Sequence, residues 1–436
     1  MHRRARVPEN DVECLIVQTG VHYVPSRMLC CRCRAACLRF VCQYAAKHTS
    51  FSQWRKFTAG CNCWRNTRIW GAKRVRFRDK LLCEGARKIV FLTALLCGVV
   101  NYAVVRAAET GQIAAGSATI FIYHRFGEDD IPRTNTTIAQ FEAHLAEISA
   151  GDYTPMALPD IIAALENGTP LPDRAVAITI DDGYLSVYEQ AWPRLRDAGI
   201  PFTLFLSTDS IDAEYKSFMR WDHVREMVAG GNVTIGHHGA AHQHMPHYDD
   251  ARNLVDIRRA SLRFKEELGF VPDIFAYPYG EYSLANRDQI AELGFRAAFG
   301  QHSGAIYPGM ARFELPRFPM NQQFGDIDRF RLAANALPFP VTDVTPLDTY
   351  IVTDPNPPRF GFTVAGELRG LDRLNCFASG HDGPLKVAFL GEKRVEVRMR
   401  RPFAPGRGRI NCTLLDRSGR WHWLGRQFVI APPREG

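Results

Sequence analysis

The chain has 436 residues, 46% of them hydrophobic, with 12 cysteines and a formal net charge of +8. That apolar content supplies a sizeable core and excludes global disorder, and the length leaves room for two or three domains. The charge is uneven: residues 1–107 hold 20 Lys and Arg against 5 Asp and Glu, while the remaining 329 hold 34 against 41, so no nucleic-acid partner is expected for most of the chain.

Residues 1–85 read as a basic leader with no sustained apolar period, and ten of the 12 cysteines lie before residue 108. Over 86–107, Arg87 and Lys88 precede an apolar run at 89–100, followed by Val105, Arg106 and Ala107. That is the layout of a secretory signal peptide, with an uncleaved signal anchor as the alternative. Signal peptides begin chains, so the leader is read as a mis-assigned start, with the true start near Val75. Export would put the mature protein in the periplasm or outside the cell, held to a membrane only if the segment stays uncleaved. In that oxidising setting Cys376 and Cys412 could pair; two buried free thiols are the other reading.

From 117 the pattern becomes regular. Apolar runs at 119–124, 175–182, 201–208, 232–238, 274–280, 296–301 and 315–320 predict strands, most of them without the alternation of a half-exposed sheet. Helical stretches are expected between them at 138–149, 158–166, 184–199, 221–229, 250–268 and 284–293. Strand–helix alternation of this length predicts parallel strands in a closed or nearly closed (β/α) barrel over 117–337. Residues able to do chemistry fall at the C-terminal ends of the runs: His124, Asp181, Asp182, Thr208, His237, His238 and Tyr279. In a (β/α) barrel that rim builds active sites.

After 338 the texture changes. "LPFPVTDVTPLD" and "TDPNPP" read as proline-rich linkers. Six alternating strands follow, in a small all-β domain over 350–436 expected to be a sandwich. "LLDRSGRWHW" reads as a hairpin turning at 416–419. Trp421 and Trp423 share one face, where core packing competes with stacking on sugar rings.

Two stretches carry the chemistry. "ITIDDGY" ends a buried strand with Asp181 and Asp182, and two like charges that close raise one pKa unless a cation intervenes. One carboxylate can then bind the ion while the other serves as a base. In "HHGAAHQH", His238 and His242 lie one helical turn apart if the chain turns helical after the strand. One carboxylate and two imidazoles leave positions open for water and substrate, as in a catalytic zinc site. His237 remains an alternative ligand or a supporting residue, and His244 is expected at the rim.

"TIDDG", H-x3-H and "YPYG", in this order, resemble the polysaccharide deacetylases of carbohydrate esterase family 4, the NodB-homology domain, over 117–335. The resemblance implies a distorted (β/α)7 barrel, with Asp181 as catalytic base, Asp182, His238 and His242 as metal ligands, and the Tyr279 N–H as an oxyanion donor. It departs from the family at Ala276, where an arginine paired with the base is usual; Arg317 in "LPRFP" is the candidate replacement. "FIYHRF" resembles the circularly permuted subgroup that includes poly-N-acetylglucosamine deacetylases, which makes His124 the candidate general acid. The implied cofactor is a divalent metal, zinc by ligand type, with cobalt or nickel as alternatives. The implied reaction removes N-acetyl groups from an N-acetylglucosamine-type polysaccharide. The rival readings are an O-acetyl esterase or other amide hydrolase at the same site, and a non-catalytic glycan-binding protein.

Overall fold

β1 (Ala118–Tyr123), β2 (Ala175–Asp182) and β3 (Phe202–Leu206) are buried at every position, as strands covered on both faces must be. They continue into β4 (Val233–His237), β5 (Ile274–Ala276) and β6 (Ala297–Phe299), each parallel to the strand before it. The seventh strand is short: β7 (Phe318–Pro319) pairs in parallel with β1, and Leu315, just before it, bridges to Phe299 at the end of β6. The segment 315–319 therefore closes the ring. These strands come from a computed structural model that describes residues 116–352 and 355–432, all within one compact unit. The leader and signal segment expected over 1–107 lie outside the described residues.

The barrel is filled by alternation along its strands. Ala118 and Ile120 on β1, Ala177 on β2, Phe205 on β3, Ile274 and Ala276 on β5, and Phe299 on β6 form one apolar cluster. Leu158, Ile161, Ile162 and Leu165 of α2 (Leu158–Asn167) join it, so this helix plugs the barrel beside the start of β2. The other layer packs the outer strand faces against α1 (Ile138–Ala150), α3 (Trp192–Asp197), α4 (Trp221–Gly230) and α5 (Asp250–Leu268). α1 starts at a reciprocal cap between Thr137 and Gln140, and α5 runs from an Asp249 cap to a left-handed Gly269. The helix expected over 184–199 is split. Pro193 cannot donate, so a π-helical turn at Val187–Ala191 precedes α3. α6 (Leu284–Glu292) lies where expected, whereas α7 (Ile327–Ala334) is not among the expected helices; its Phe330 stacks on Phe121 at 4.5 Å between centroids.

Beyond the barrel all six expected strands form. A four-stranded sheet has the order β8 (Val341–Thr345), β9 (Gly361–Val364), β12 (Arg394–Arg398), β11 (Lys386–Leu390). A second sheet places β14 (Trp421–Ile430) and β13 (Gly406–Leu415) as a ten-pair hairpin beside β10 (Asn375–Ala378). The apolar core holding Phe360, Phe362, Val395, Cys412 and Phe428 lies between the sheets. "LPFPVTDVTPLD" is not a linker: Leu337–Pro338 pairs with β14 and Val341–Thr345 with β9, because its prolines sit at strand edges where no N–H is needed.

The hairpin β13–β14 is seated directly on the barrel. Gly425 lies so close to Ser303 that a Cβ there would be 2.3 Å from the Ser303 carbonyl oxygen, and Leu424 bridges to Gly304. Trp423 packs edge-on against Phe318, with its indole N–H on Asn411, so of its two readings core packing holds. Arg420 donates to the Asn335 carbonyl at 2.9 Å and pairs with Asp173.

Cys376 and Cys412 oppose each other across β10 and β13 and are joined by a disulfide. Closing a loop with a sequence separation of 36 stabilises by about 3–4 kcal/mol in the chain-entropy account. The double variant Cys376→Ala, Cys412→Ala should unfold at correspondingly lower guanidinium concentration, and two free thiols titrated in the oxidised native protein would contradict the pairing.

Candidate active site

Asp181 is the last inward-facing residue of β2 and is fully buried. A carboxylate there needs a partner, and Arg317 supplies it. The guanidinium, itself fully buried, grips both carboxylate oxygens at 2.7 and 2.8 Å. Its remaining donors go to the Gly300 carbonyl at 2.9 Å and the Thr179 hydroxyl at 3.1 Å. The arginine absent at Ala276 is thus met in space from the closing segment.

Asp182 turns the chain. Its φ of +76°, followed by Gly183 at +88°, lets two adjacent carboxylates reach one rim although strand neighbours point oppositely. His238 follows β4, and its Nδ1 lies 2.6 Å from the Ala276 carbonyl. A carbonyl only accepts, so that nitrogen carries the proton and Nε2 presents a lone pair to the site. Nε2 stands 3.4 Å from Asp182 Oδ1, and both atoms are buried without a hydrogen-bond partner. Two facing lone pairs repel unless a cation lies between them. His242 brings its Nε2 to 3.1 Å from the same oxygen, and the ligand atoms of the three residues lie within 4.8 Å of one another. The donor set fits a divalent ion.

The spacing of the two imidazoles has a different cause from the helical turn expected. Residues 238–242 are loop, with Gly239 at φ +73° and His242 at +50°. Asp256 of α5 holds the loop, accepting the Ala240 and Ala241 N–H groups at 2.9 Å each. His237 is not a ligand. It sits among Phe264, Phe275 and Phe295, contacts the Ile257 carbonyl through Nε2, and is pushed by burial to a pKa of about 3. His244 stands at the rim as expected, with Nδ1 2.6 Å from Glu281.

Tyr279 takes the left-handed conformation, φ +60° and ψ 4°, in the turn after β5. Its ring lies flat against His244 at 4.0 Å and edge-on to His242 at 4.3 Å. His124 follows β1 among the charges of Asp182, Asp181, Arg317 and His238; burial pushes its imidazole below the ordinary value against the pull of the two carboxylates. The structure thus brings His124, Asp181, Asp182, His238, His242, Tyr279 and Arg317 together, and leaves His237 outside the group.

Sequence reasoning missed several neighbours. Tyr184, three residues after Asp181, bonds to Asp182 and is driven to a pKa of about 12, first by burial and then by that carboxylate. Arg125 lies over its ring at 3.4 Å. Their proximity in sequence to the acids and to His124 was the available signal. Glu281, Arg407 and Gln427 meet around Tyr279 from separate parts of the chain, and no local pattern marks them.

Comparison with known proteins finds likeness over part of the chain. Residues 168–298 match the family model for polysaccharide deacetylase. Over that stretch the chain is similar to polysaccharide deacetylases. It is 26% identical over 216 residues to the poly-beta-1,6-N-acetyl-D-glucosamine N-deacetylase of Escherichia coli (strain K12), covering 39% of this chain and 31% of that protein. The enzyme of the same name from Staphylococcus aureus (strain MSSA476) is 24% identical over 217 residues, 45% of this chain and 71% of that one. The chain thus spans about a third of the length of the E. coli relative. Among solved structures, IcaB from Ammonifex degensii aligns with a TM-score of 0.44 at 24% identity, over 49% of this chain and 96% of that one. The deacetylase PplD of Streptococcus pyogenes aligns with a TM-score of 0.46 at 16% identity, over 50% and 98%.

Two measurements check the site. Replacing Arg317 by Met strands a buried carboxylate, at a cost of about 3–5 kcal/mol in unfolding free energy; adding Asp181→Asn should recover part of it, read by denaturant titration of the metal-free protein. Elemental analysis after dialysis should find one divalent ion per chain, with affinity reduced about 100-fold or more in Asp182→Ala and His238→Ala and unchanged in His244→Ala.

Proposed function

We propose that the protein is a metal-dependent hydrolase that removes N-acetyl groups from an N-acetylglucosamine-type polysaccharide outside the cytoplasm. The observation that carries the reading is the rim itself: three convergent metal-ligating side chains beside a carboxylate gripped by a buried arginine. The named activities of the E. coli and S. aureus relatives support an amide of a glucosamine polymer as substrate. The disulfide supports an oxidising compartment. Among the described residues no helix is long and apolar enough to cross a membrane.

Asp182, His238 and His242 hold the ion, zinc by ligand type, with cobalt or nickel able to serve. When bound it polarises water and the amide carbonyl. Asp181 accepts the proton of the attacking water, and Arg317 holds that carboxylate in place through both of its oxygens. The Tyr279 N–H donates to the developing oxyanion. His124 hands a proton to the departing amine. Burial holds its imidazole below the ordinary value, so the proton it delivers is the one Asp181 takes from the water, relayed onward, which returns the carboxylate to its starting state. The products are acetate and a free amino sugar. The binding-only reading rested on the arginine missing at Ala276, and the Arg317 contact removes that ground.

Acetate release from β-1,6-linked N-acetylglucosamine oligomers should be abolished by chelator and restored by zinc or cobalt. Asp181→Asn should lower kcat by about 100- to 10,000-fold, the usual worth of a positioned base. Turnover of an O-acetylated glycan alone, with the N-acetyl oligomers untouched, would make the protein an esterase instead; glycan binding without turnover of either would make it a binder.

A further inference from the structure

The β-sandwich reaches the site at one point, and that point is the turn bearing Tyr279. Gln427 of β14 is buried, and its Nε2 donates to the carbonyl oxygens of both Tyr279, at 3.1 Å, and Gly280, at 3.0 Å. Its Oε1 accepts from Arg409 Nε of β13 at 2.8 Å. The amide has only one orientation that works, because carbonyls only accept and the guanidinium only donates. Arg409 is costly to bury, its pKa pushed down to about 10, first by burial and then by Arg407. Arg407, two residues earlier on the same face, stands over the Tyr279 ring at 5.6 Å and beside Glu281 at 3.5 Å.

The turn needs such a hold. Tyr279 is in the left-handed region, where a residue with a Cβ sits at a cost of about 1–2 kcal/mol. Gly280, at φ +68°, is pressed so close to Gln301 that a Cβ would lie 2.4 Å from its amide nitrogen. Without outside bonds the cheaper course for Tyr279 is to relax to negative φ. That rotation would swing the peptide carrying the Tyr279 N–H relative to the ring held by His244 and His242.

We infer that Gln427 is a positioning residue of the active site: the sandwich, through this side chain and the arginine that orients it, locks the Tyr279 turn in its left-handed form. The inference rests on the deacetylase reading for its catalytic consequence, but the lock itself is a property of the turn. The sandwich is thereby a working part of the hydrolase rather than only a glycan-holding appendage.

The test uses Gln427→Glu, which keeps the shape and the Arg409 contact but removes both donors, and Gln427→Met, of similar volume, in case the acid disturbs folding. Two quantities are read: kcat and KM for acetate release from the N-acetylglucosamine oligomers, and hydrogen exchange of the peptide 277–283. Exchange should rise in both variants. kcat should fall about 10- to 100-fold, as small misplacements of a catalytic group do, with KM within about twofold and bound metal unchanged. Unaltered exchange together with unaltered kcat overturns the inference, as does a loss of kcat that only follows the folded or metal-loaded fraction. Faster exchange in the variants of a protein whose wild type releases no acetate upholds the lock and rejects the deacetylase reading.

Discussion

The ion pair between Asp181 and Arg317 lies fully buried inside the barrel, and the rest of the site depends on it. The arginine comes from the segment that closes the ring between β6 and β1, so barrel closure and the pairing of Asp181 are one event. The pair also engages four of the five N–H donors of the guanidinium, on the carboxylate, on Gly300 and on Thr179. A buried charge is tolerated only on such terms.

Around that pair the chain stores strain. Among the described residues six non-glycine positions have positive φ, and Asp182, His242 and Tyr279 are three of them. Unusual backbone collects where function needs side chains or N–H groups aimed against local preference. Each has visible support. Gly183 continues the turn at Asp182, Asp256 caps the loop before His242, and Gln427 takes the two carbonyls at Tyr279.

The strands and most helices were legible because burial on both faces leaves an uninterrupted apolar run, and caps mark the ends. The metal ligands were legible as a pattern, though for a mistaken reason: the H-x3-H spacing suggested a helical turn, and the structure uses a glycine-bearing loop tied to an aspartate. Arg317 could be named from the sequence only as a substitute for a missing residue, since the contact spans 136 positions. Gln427 and Arg407 could not be named at all. They belong to strands whose alternation reports which face is buried, not what lies beneath it. The proline-rich stretch after 336 misled for a related cause, because proline at a strand edge costs nothing that local sequence can register.

The close seating of β14 on the barrel bears on modularity. The match to the polysaccharide deacetylase family model ends at residue 298, before the segment that closes the ring and before the arginine that pairs with its buried acid. A fragment cut at that border would expose one flank of β1 and β6 and leave Asp181 alone in an apolar interior. One cut after α7 would keep the ring but uncover Phe318, Ser303 and the carbonyls of the Tyr279 turn. The border of that match is therefore not a border of structure, and the barrel and its sandwich are best regarded as a single structural unit.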